Sequence, residues 1–138
     1  MCVVMKKLLN IGIVGMVLGL LTSCDDNDDY QTIQSIERVK IDSVKIVNDT
    51  MDVFTVQSIR TYSQYSSQCE GFYGYDYVYN DNLTRTVTTY KYITNGPCAQ
   101  ESFTGVNQIN FNPQKTGTYT FKFWNGDDNW ITKTIVVE

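Results

Sequence analysis

Tyr73, Tyr75, Tyr77 and Tyr79 occupy every second position of one short segment. Because side chains alternate between the two faces of a β-strand, a strand here would project all four rings from the same face. An exposed row of tyrosines can stack on sugar rings or anchor a protein partner, whereas a buried row packs against a second sheet. Gly74 and the other intervening residues make a poor core face, which favours the packed alternative. The four tyrosines are candidate ligand-binding residues, and both alternatives stay open.

Two tryptophans form a second aromatic candidate. Trp124 and Trp130 flank a turn rich in Asn, Gly and Asp, so they would lie near each other at the mouth of a hairpin. They could form a rim for a ligand, or simply pack across the two strands.

The sequence offers few candidate catalytic residues, because the chain contains no histidine. Histidine is the usual general base and metal ligand, and Ser or Cys nucleophiles commonly depend on it. A carboxylate pair of the glycosidase type needs two facing acids, and Asp76 has no evident partner. Asp127 and Asp128 fall in a turn whose spacing does not match a calcium loop. We therefore predict a protein that is not an enzyme and that binds no metal and no cofactor.

The N-terminal segment predicts an export signal. Lys6 and Lys7 precede the apolar run 8–21, which is too short to cross the ~30 Å hydrocarbon core comfortably. The run ends in Leu-Thr-Ser-Cys at positions 21–24, which resembles the lipobox of bacterial lipoproteins. The resemblance implies that residues 1–23 are a signal peptide and that Cys24 carries diacylglycerol and a further acyl chain such as palmitate. Two or three acyl chains would anchor the protein stably to a membrane. An ordinary cleavable signal and an uncleaved anchor are the alternatives.

An acidic stretch follows Cys24 at once, with four aspartates among residues 25–29. Such a run stays solvated, which predicts a flexible tether over residues 24–32. The stretch is also similar to the surface-export signal of Bacteroidota lipoproteins, which implies display at the cell surface on the outer membrane. Aspartate after the cysteine can instead mean retention, so a location facing the periplasm is the alternative. The net charge of −4 and the lack of a basic cluster argue against a nucleic-acid partner.

Once Cys2 is cleaved and Cys24 lipidated, Cys69 and Cys98 remain. Exported proteins meet oxidising conditions, and two cysteines without histidine make a poor zinc site, so the pair predicts a disulfide. It would close the hairpin between them. Two free buried thiols are the alternative.

The remaining chain, residues 33–138, is predicted to form one all-β domain. It is rich in Thr, Tyr, Val and Ile and shows no apolar stripe with helical spacing. Turn residues separate eight predicted strands: Ile33–Val39, Val44–Val47, Val53–Tyr62, Phe72–Tyr79, Arg85–Ile93, Val106–Phe111, Thr118–Trp124 and Ile131–Val137. Short, regularly spaced strands predict a sandwich of two antiparallel sheets.

The last 30 residues resemble the closing hairpin of immunoglobulin-like domains, particularly of the PKD type. The similarity lies in Gly117-Thr118-Tyr119 entering an alternating strand, then a Gly/Asp turn and a Thr-rich final strand. It implies an immunoglobulin-like β-sandwich in which the Tyr119 hydroxyl bonds back to local backbone. Tyr119, Phe121 and Phe123 alternate, so we expect them to share the core face. Phe121 stands where the second core cysteine of antibody domains would fall.

Two hydroxyl residues match a short modification pattern. Asp42-Ser43-Val44 and Asp49-Thr50-Met51 are similar to the Asp-Ser/Thr-apolar motif of Bacteroidota O-glycosylation. The resemblance makes Ser43 and Thr50 candidate acceptor sites.

We therefore expect a surface-displayed lipoprotein that acts as a non-enzymatic binding or adhesion module for a glycan or protein partner. Two alternatives are an inhibitor of a secreted hydrolase and a structural subunit of an envelope assembly. A glycan binder predicts a flat patch of exposed tyrosines, an inhibitor a protruding loop near residues 98–103, and a subunit an unpaired edge strand. The ligand and the oligomeric state stay open.

Overall fold

The computed structural model describes residues 31–138, so the predicted signal peptide, Cys24 and most of the tether lie outside the described residues. This part of the chain forms one compact unit of strands. Residues 31–138 include no helix, and therefore none that is long and apolar enough to cross a membrane. The strands are β1 (Ile33–Val39), β2 (Ser43–Ile46), β3 (Thr50–Met51), β4 (Gln57–Tyr65), β5 (Glu70–Tyr79), β6 (Thr84–Thr94), β7 (Phe103–Phe111), β8 (Gly117–Trp124) and β9 (Trp130–Val137).

The strands form two sheets, which confirms the all-β prediction. In the larger sheet β5 pairs with one side of β6, and the other side of β6 pairs with β1 and β8. Strands β9 and β3 continue this sheet beyond β8. The smaller sheet has the order β2-β4-β7. Strands β5 and β7 are consequently edge strands, one in each sheet.

Not every pairing is antiparallel. Residues 84–87 of β6 run parallel to residues 120–123 of β8, and β3 runs parallel to β9. The prediction of two purely antiparallel sheets is therefore wrong at these two pairs. The physical reason is long-range: β7 crosses to the smaller sheet between β6 and β8, so β8 re-enters the larger sheet in the direction of β6.

The core lies between the two sheets. As the alternation in β8 predicts, Tyr119, Phe121 and Phe123 all point inward, with 4%, 0% and 0% of their surfaces exposed. Phe121 packs nearly perpendicular to Phe111 of the smaller sheet, with ring centroids 5.0 Å apart. The buried cluster consists of Ile41, Met51, Ile59, Val87, Phe111, Tyr119, Phe121, Phe123, Ile135 and Val137.

One predicted strand begins in the wrong place. The apolar residues from Val53 onward predict a strand, but β4 begins at Gln57. Phe54 has a φ of 62°, a left-handed conformation that a strand does not allow, and its side chain is 71% exposed. Its backbone N–H donates to the carbonyl of Pro113, a residue distant in sequence, at 2.8 Å. A local apolar pattern does not reveal such a contact. The two-residue strand β3 was also missed, since only its pairing with β9 defines it.

The disulfide prediction is confirmed. Cys69 and Cys98 are bonded, with Cα atoms 5.5 Å apart and a sequence separation of 29. Cys69 directly precedes β5, and Cys98 lies in the segment between β6 and β7. The bond therefore ties the open end of the β5–β6 hairpin to the chain that leads into the smaller sheet.

The Tyr119 hydroxyl donates a hydrogen bond to the backbone carbonyl of Lys115 at 2.9 Å. The bond fastens the turn before β8 to the core, as the resemblance implied. We expect Tyr119→Phe to lower the free energy of unfolding by about 1 kcal/mol, the usual net value of one hydrogen bond. Urea denaturation measures the change. The same substitution at Tyr79, which is 69% exposed, is the control and should have no effect; equal stabilities of the two variants would contradict the prediction.

A partly buried ion pair joins β5 to β6. The Lys91 ammonium lies 2.9 Å from the Glu70 carboxylate, and only 16% and 9% of the two side chains are exposed. Burial raises the pKa of Glu70, but hydrogen bonds from Lys91 and from the backbone and hydroxyl of Ser66 outweigh it and lower the pKa below its ordinary value of 4.5.

The lowered pKa of Glu70 in the folded state makes the free energy of unfolding depend on pH. Glu70 contributes its stabilisation above its ordinary pKa and loses it as the pH falls through the lower pKa of the folded state. We expect the melting temperature of the native chain to fall more steeply than that of Glu70→Gln from about pH 5 to about pH 3. Calorimetry across this range provides the measurement, and parallel curves for the two proteins would refute the role of Glu70.

Candidate binding cleft

A cleft of about 930 Å³ opens between the two sheets on the side where β5 and β7 are edges. Such an opening exists because, within residues 31–138, neither edge strand pairs with a neighbour beyond it. One wall carries Tyr75, Tyr77 and Tyr79, and the other carries residues 108–111 of β7. Residues at one end of the cleft complete the lining: Asp81, Asn82, Arg85, Asn112, Pro113, Gln114, Lys115 and Tyr119. Its size and its mixture of aromatic and polar groups suit a small-molecule or glycan site.

Tyr75 and Tyr77 form the inner part of the tyrosine wall. Both are half-buried and pack against the core cluster. The Tyr75 hydroxyl lies 2.6 Å from the Thr61 hydroxyl of β4, so this ring spans the two sheets. Burial raises the pKa of Tyr75, and burial raises the pKa of Tyr77 to about 12 against the lowering effect of Arg85. Both hydroxyls are therefore neutral at physiological pH and can donate or accept hydrogen bonds.

Tyr79 forms the outer part of the same wall. Its ring meets Tyr77 edge to face, with centroids 5.3 Å apart, and 69% of the residue is exposed. The guanidinium of Arg85 lies over the ring at 4.1 Å from its centroid. This cation–π contact limits where the ring can turn while most of its surface remains open to solvent.

Arg85 lies beneath the tyrosine wall and is only 7% exposed. Its Nη1 donates to the Asp81 carbonyl at 2.8 Å and the Thr84 carbonyl at 3.1 Å, and its Nη2 donates to the Asn82 carbonyl at 3.2 Å. The side chain therefore fastens the turn between β5 and β6 to the end of the cleft.

Tyr73 is not part of this wall. The register of β5 against β6 shifts between Phe72 and Gly74, which marks a β-bulge. The extra residue breaks the alternation, so Tyr73 is 55% exposed and lines a shallow depression with Gly74, Asp76 and Tyr90. The prediction that four tyrosines share one face is wrong for Tyr73. Tyr75 and Tyr77 follow the packed alternative, whereas Tyr73 and Tyr79 are exposed. The described residues therefore form an aromatic wall of a cleft and not the flat patch of tyrosines expected of a glycan binder.

The chain matches no family model, no curated protein and no solved structure.

The structure does not bring the two tryptophans to the tyrosines. Trp124 and Trp130 pair across β8 and β9, at the opposite end of β8 from Tyr119. Trp124 is covered by the Arg38 guanidinium at 4.5 Å, and its indole N–H donates to the Asp127 carbonyl at 2.9 Å. Trp130 is 44% exposed. Trp124 therefore packs within the protein, as the alternative to a ligand rim had it.

The remaining candidate residues lie away from the cleft. Ser43, at the start of β2, and Thr50, in β3, are both exposed, so their hydroxyls are accessible and their glycosylation stays a prediction. Within residues 31–138, no three His, Cys, Asp or Glu side chains lie close enough to share a metal ion.

Two contributors to the cleft were missed from the sequence. Arg85 alternates with Val87 and Thr89 on the inward face of β6, and a charge in that pattern was a detectable signal. The rim formed by Gln108 and Asn110, whose amides are hydrogen-bonded at 2.7 Å, had no local signal. Both residues line the cleft because β7 is the edge strand beside it.

Proposed function

We propose that this chain is a non-enzymatic binding module that takes a glycan in the cleft between β5 and β7. The observation that carries the proposal is the wall of Tyr75, Tyr77 and Tyr79 beside a polar rim. Sugar rings present flat C–H faces that stack on aromatic rings, while their hydroxyls bond to amides and phenols. A cleft between two edge strands admits an extended chain better than it admits a folded protein surface.

The proposal includes the setting inferred from the N-terminus. A lipid on Cys24 would anchor the protein to the outer membrane, and the acidic tether would hold the domain at the cell surface. From there a glycan-binding cleft could serve adhesion or capture. A location facing the periplasm, a hydrolase inhibitor and an envelope subunit are the competing proposals.

We also infer that the sandwich is immunoglobulin-like. The bond from the Tyr119 hydroxyl to the Lys115 carbonyl supports this, because a tyrosine near the start of a late strand bonds back to local backbone in that fold. The parallel pairing of β6 with β8 departs from its two antiparallel sheets.

Tyr79 offers the cleanest test of the binding site, since it is exposed and its replacement should leave the core intact. We expect Tyr79→Ala to weaken glycan binding about tenfold, as loss of a central aromatic contact commonly does. The full chain in detergent, with its disulfide formed, is screened on a glycan array, and affinities for the strongest ligand are measured by calorimetry. Tyr79→Phe keeps the ring and should stay within about twofold of the native affinity.

Tyr73→Ala is the matched control. Tyr73 lies on the same strand and is similarly exposed, but it does not line the cleft. Its replacement should leave affinity unchanged. Equal losses in the two alanine variants, or no loss in Tyr79→Ala, would place the binding site elsewhere. No binding to any glycan would remove the glycan proposal and direct the search to protein partners.

A further inference from the structure

Arg85 is buried in the cleft without a counter-ion. It occupies an inward position of β6 and is only 7% exposed, although its guanidinium is a cation with five N–H donors. Among the described residues, ion pairs within 4.0 Å are formed by Lys40 with Asp42 and by Lys91 with Glu70, and not by Arg85. A buried charge that forms no ion pair is costly, even when part of its guanidinium is hydrogen-bonded to a turn.

Asp81, which lines the same cleft, uses its carboxylate to accept backbone hydrogen bonds. The Oδ1 atom of Asp81 accepts the backbone N–H groups of Leu83 at 2.8 Å and Thr84 at 2.7 Å. These bonds lower the pKa of Asp81, with the Leu83 N–H as the first cause and the charge of Arg85 as a smaller one. The Asp81 carboxylate therefore attracts Arg85 without forming an ion pair with it. Arg85 contacts the carbonyl of that residue instead.

Part of the guanidinium remains unused. Three N–H groups of Arg85 donate to turn carbonyls through Nη1 and Nη2, while its Nε has no hydrogen-bond partner among the described residues. Nε and Nη2 share one edge of the guanidinium, and that edge binds a carboxylate through two parallel hydrogen bonds. The Nε atom is enclosed by protein, and the Tyr77 hydroxyl also interacts with the guanidinium. Because Arg85 lines the cleft, its incompletely paired charge favours a ligand that brings an anionic acceptor.

The charges around the cleft favour an anion. Its lining contains the cations Arg85 and Lys115 against the single acid Asp81, although the whole chain has a net charge of −4. The cleft is thus locally positive in an acidic protein, and such a field raises the local concentration of anionic ligands.

We propose that the ligand is an acidic glycan whose uronate carboxylate pairs with Arg85 in the cleft. This inference rests on the proposed glycan-binding function and specifies its substrate class. The sugar ring stacks on the face of Tyr79 that Arg85 leaves open, and the carboxylate pairs with the guanidinium from the cleft. Lys115 adds a second, exposed positive charge at the same end.

The first test changes the ligand and leaves the protein native. Calorimetry compares the full chain binding tetragalacturonate with its binding of the carboxyl-reduced tetrasaccharide, and repeats the comparison with an alginate tetrasaccharide and its reduced form. We expect at least one acidic member to bind about tenfold or more tightly than its neutral partner, and added salt to weaken it. Equal or tighter binding of the neutral members would overturn the inference.

The same measurements separate the inference from the proposed function. If neither acidic probe binds while a neutral glycan on the array does, the cleft binds sugars and the uronate proposal is wrong. If no glycan binds at all, both proposals are wrong. Selective binding of an acidic probe supports both.

Arg85→Lys tests the residue itself, because it keeps the positive charge and removes the planar edge. We expect the ratio of acidic to neutral affinity to fall about tenfold, with melting measured alongside. An unchanged ratio would assign the selectivity elsewhere. If the variant does not fold, the ligand comparison on the native chain still decides the proposal. Tyr73→Ala, outside the cleft, should keep the native ratio.

Discussion

Replacing Phe121 by alanine is expected to lower the free energy of unfolding by about 3–5 kcal/mol, the usual cost of removing a buried phenylalanine. Phe121 has no exposed surface and lies in the middle of β8. Its ring contacts Phe111 from the smaller sheet at 5.0 Å and Phe123 on its own strand at 6.2 Å between centroids. The substitution therefore leaves a cavity at the point where the two sheets meet.

Urea denaturation followed by fluorescence gives the stability of the variant. Lys122→Ala is the matched control, since Lys122 is the next residue of the same strand and is exposed on the other face. It should change the free energy by no more than about 0.5 kcal/mol. A loss below about 1.5 kcal/mol in Phe121→Ala would mean that the sheets close over the cavity or that this ring is not central to the core.

Removing the disulfide is expected to have the second-largest effect. The bond between Cys69 and Cys98 spans 29 residues, and closing a loop of that length stabilises a fold by roughly 3–4 kcal/mol in the chain-entropy model. The loop encloses the whole β5–β6 hairpin, which carries the tyrosine wall and Arg85. Because small domains have a total stability of about 5–15 kcal/mol, the reduced protein should keep only a part of it.

The double variant Cys69→Ala/Cys98→Ala is compared with the native chain by thermal and urea denaturation. Native protein treated with a reductant should lose the same stability as the variant, which controls for the packing of the cysteine side chains. We also expect amide exchange to accelerate in the segment 95–102, which the bond ties down. Unchanged stability in the variant would show that the hairpin ends are held by other contacts, such as the Thr94 N–H bond to the Cys69 carbonyl at 2.9 Å.

Much of the fold follows from patterns that are local in the sequence. Alternation in β8 predicts that Tyr119, Phe121 and Phe123 share the core, and all three are buried. Predicted strand ends are wrong by a few residues, as at Val53, where a residue with positive φ interrupts an apolar run. The period of two residues reports which side chains face inward, but it does not report which strands become neighbours.

The candidate site depends on both kinds of information. The sequence identifies the tyrosine row, but the bulge between Phe72 and Gly74 removes Tyr73 from it. A bulge is defined by how β5 pairs with β6, so the spacing of the tyrosines in the sequence does not reveal it. The alternation of β6 shows Arg85 as a charge on an inward face. That it forms no ion pair among the described residues, and contacts turn carbonyls instead, depends on the folded arrangement of the turn.

Composition, alternation and cysteine count are properties of the chain alone, and they predict the all-β class, the inward face of β8 and the bond between Cys69 and Cys98. The folded chain was needed to show that β5 and β7 are both edges, that a cleft opens between them, and that Arg85 is buried there. The physical reason is that strand order is set by long-range pairing and by packing of the two sheets. Neither leaves a periodic signal in the residues that it brings together.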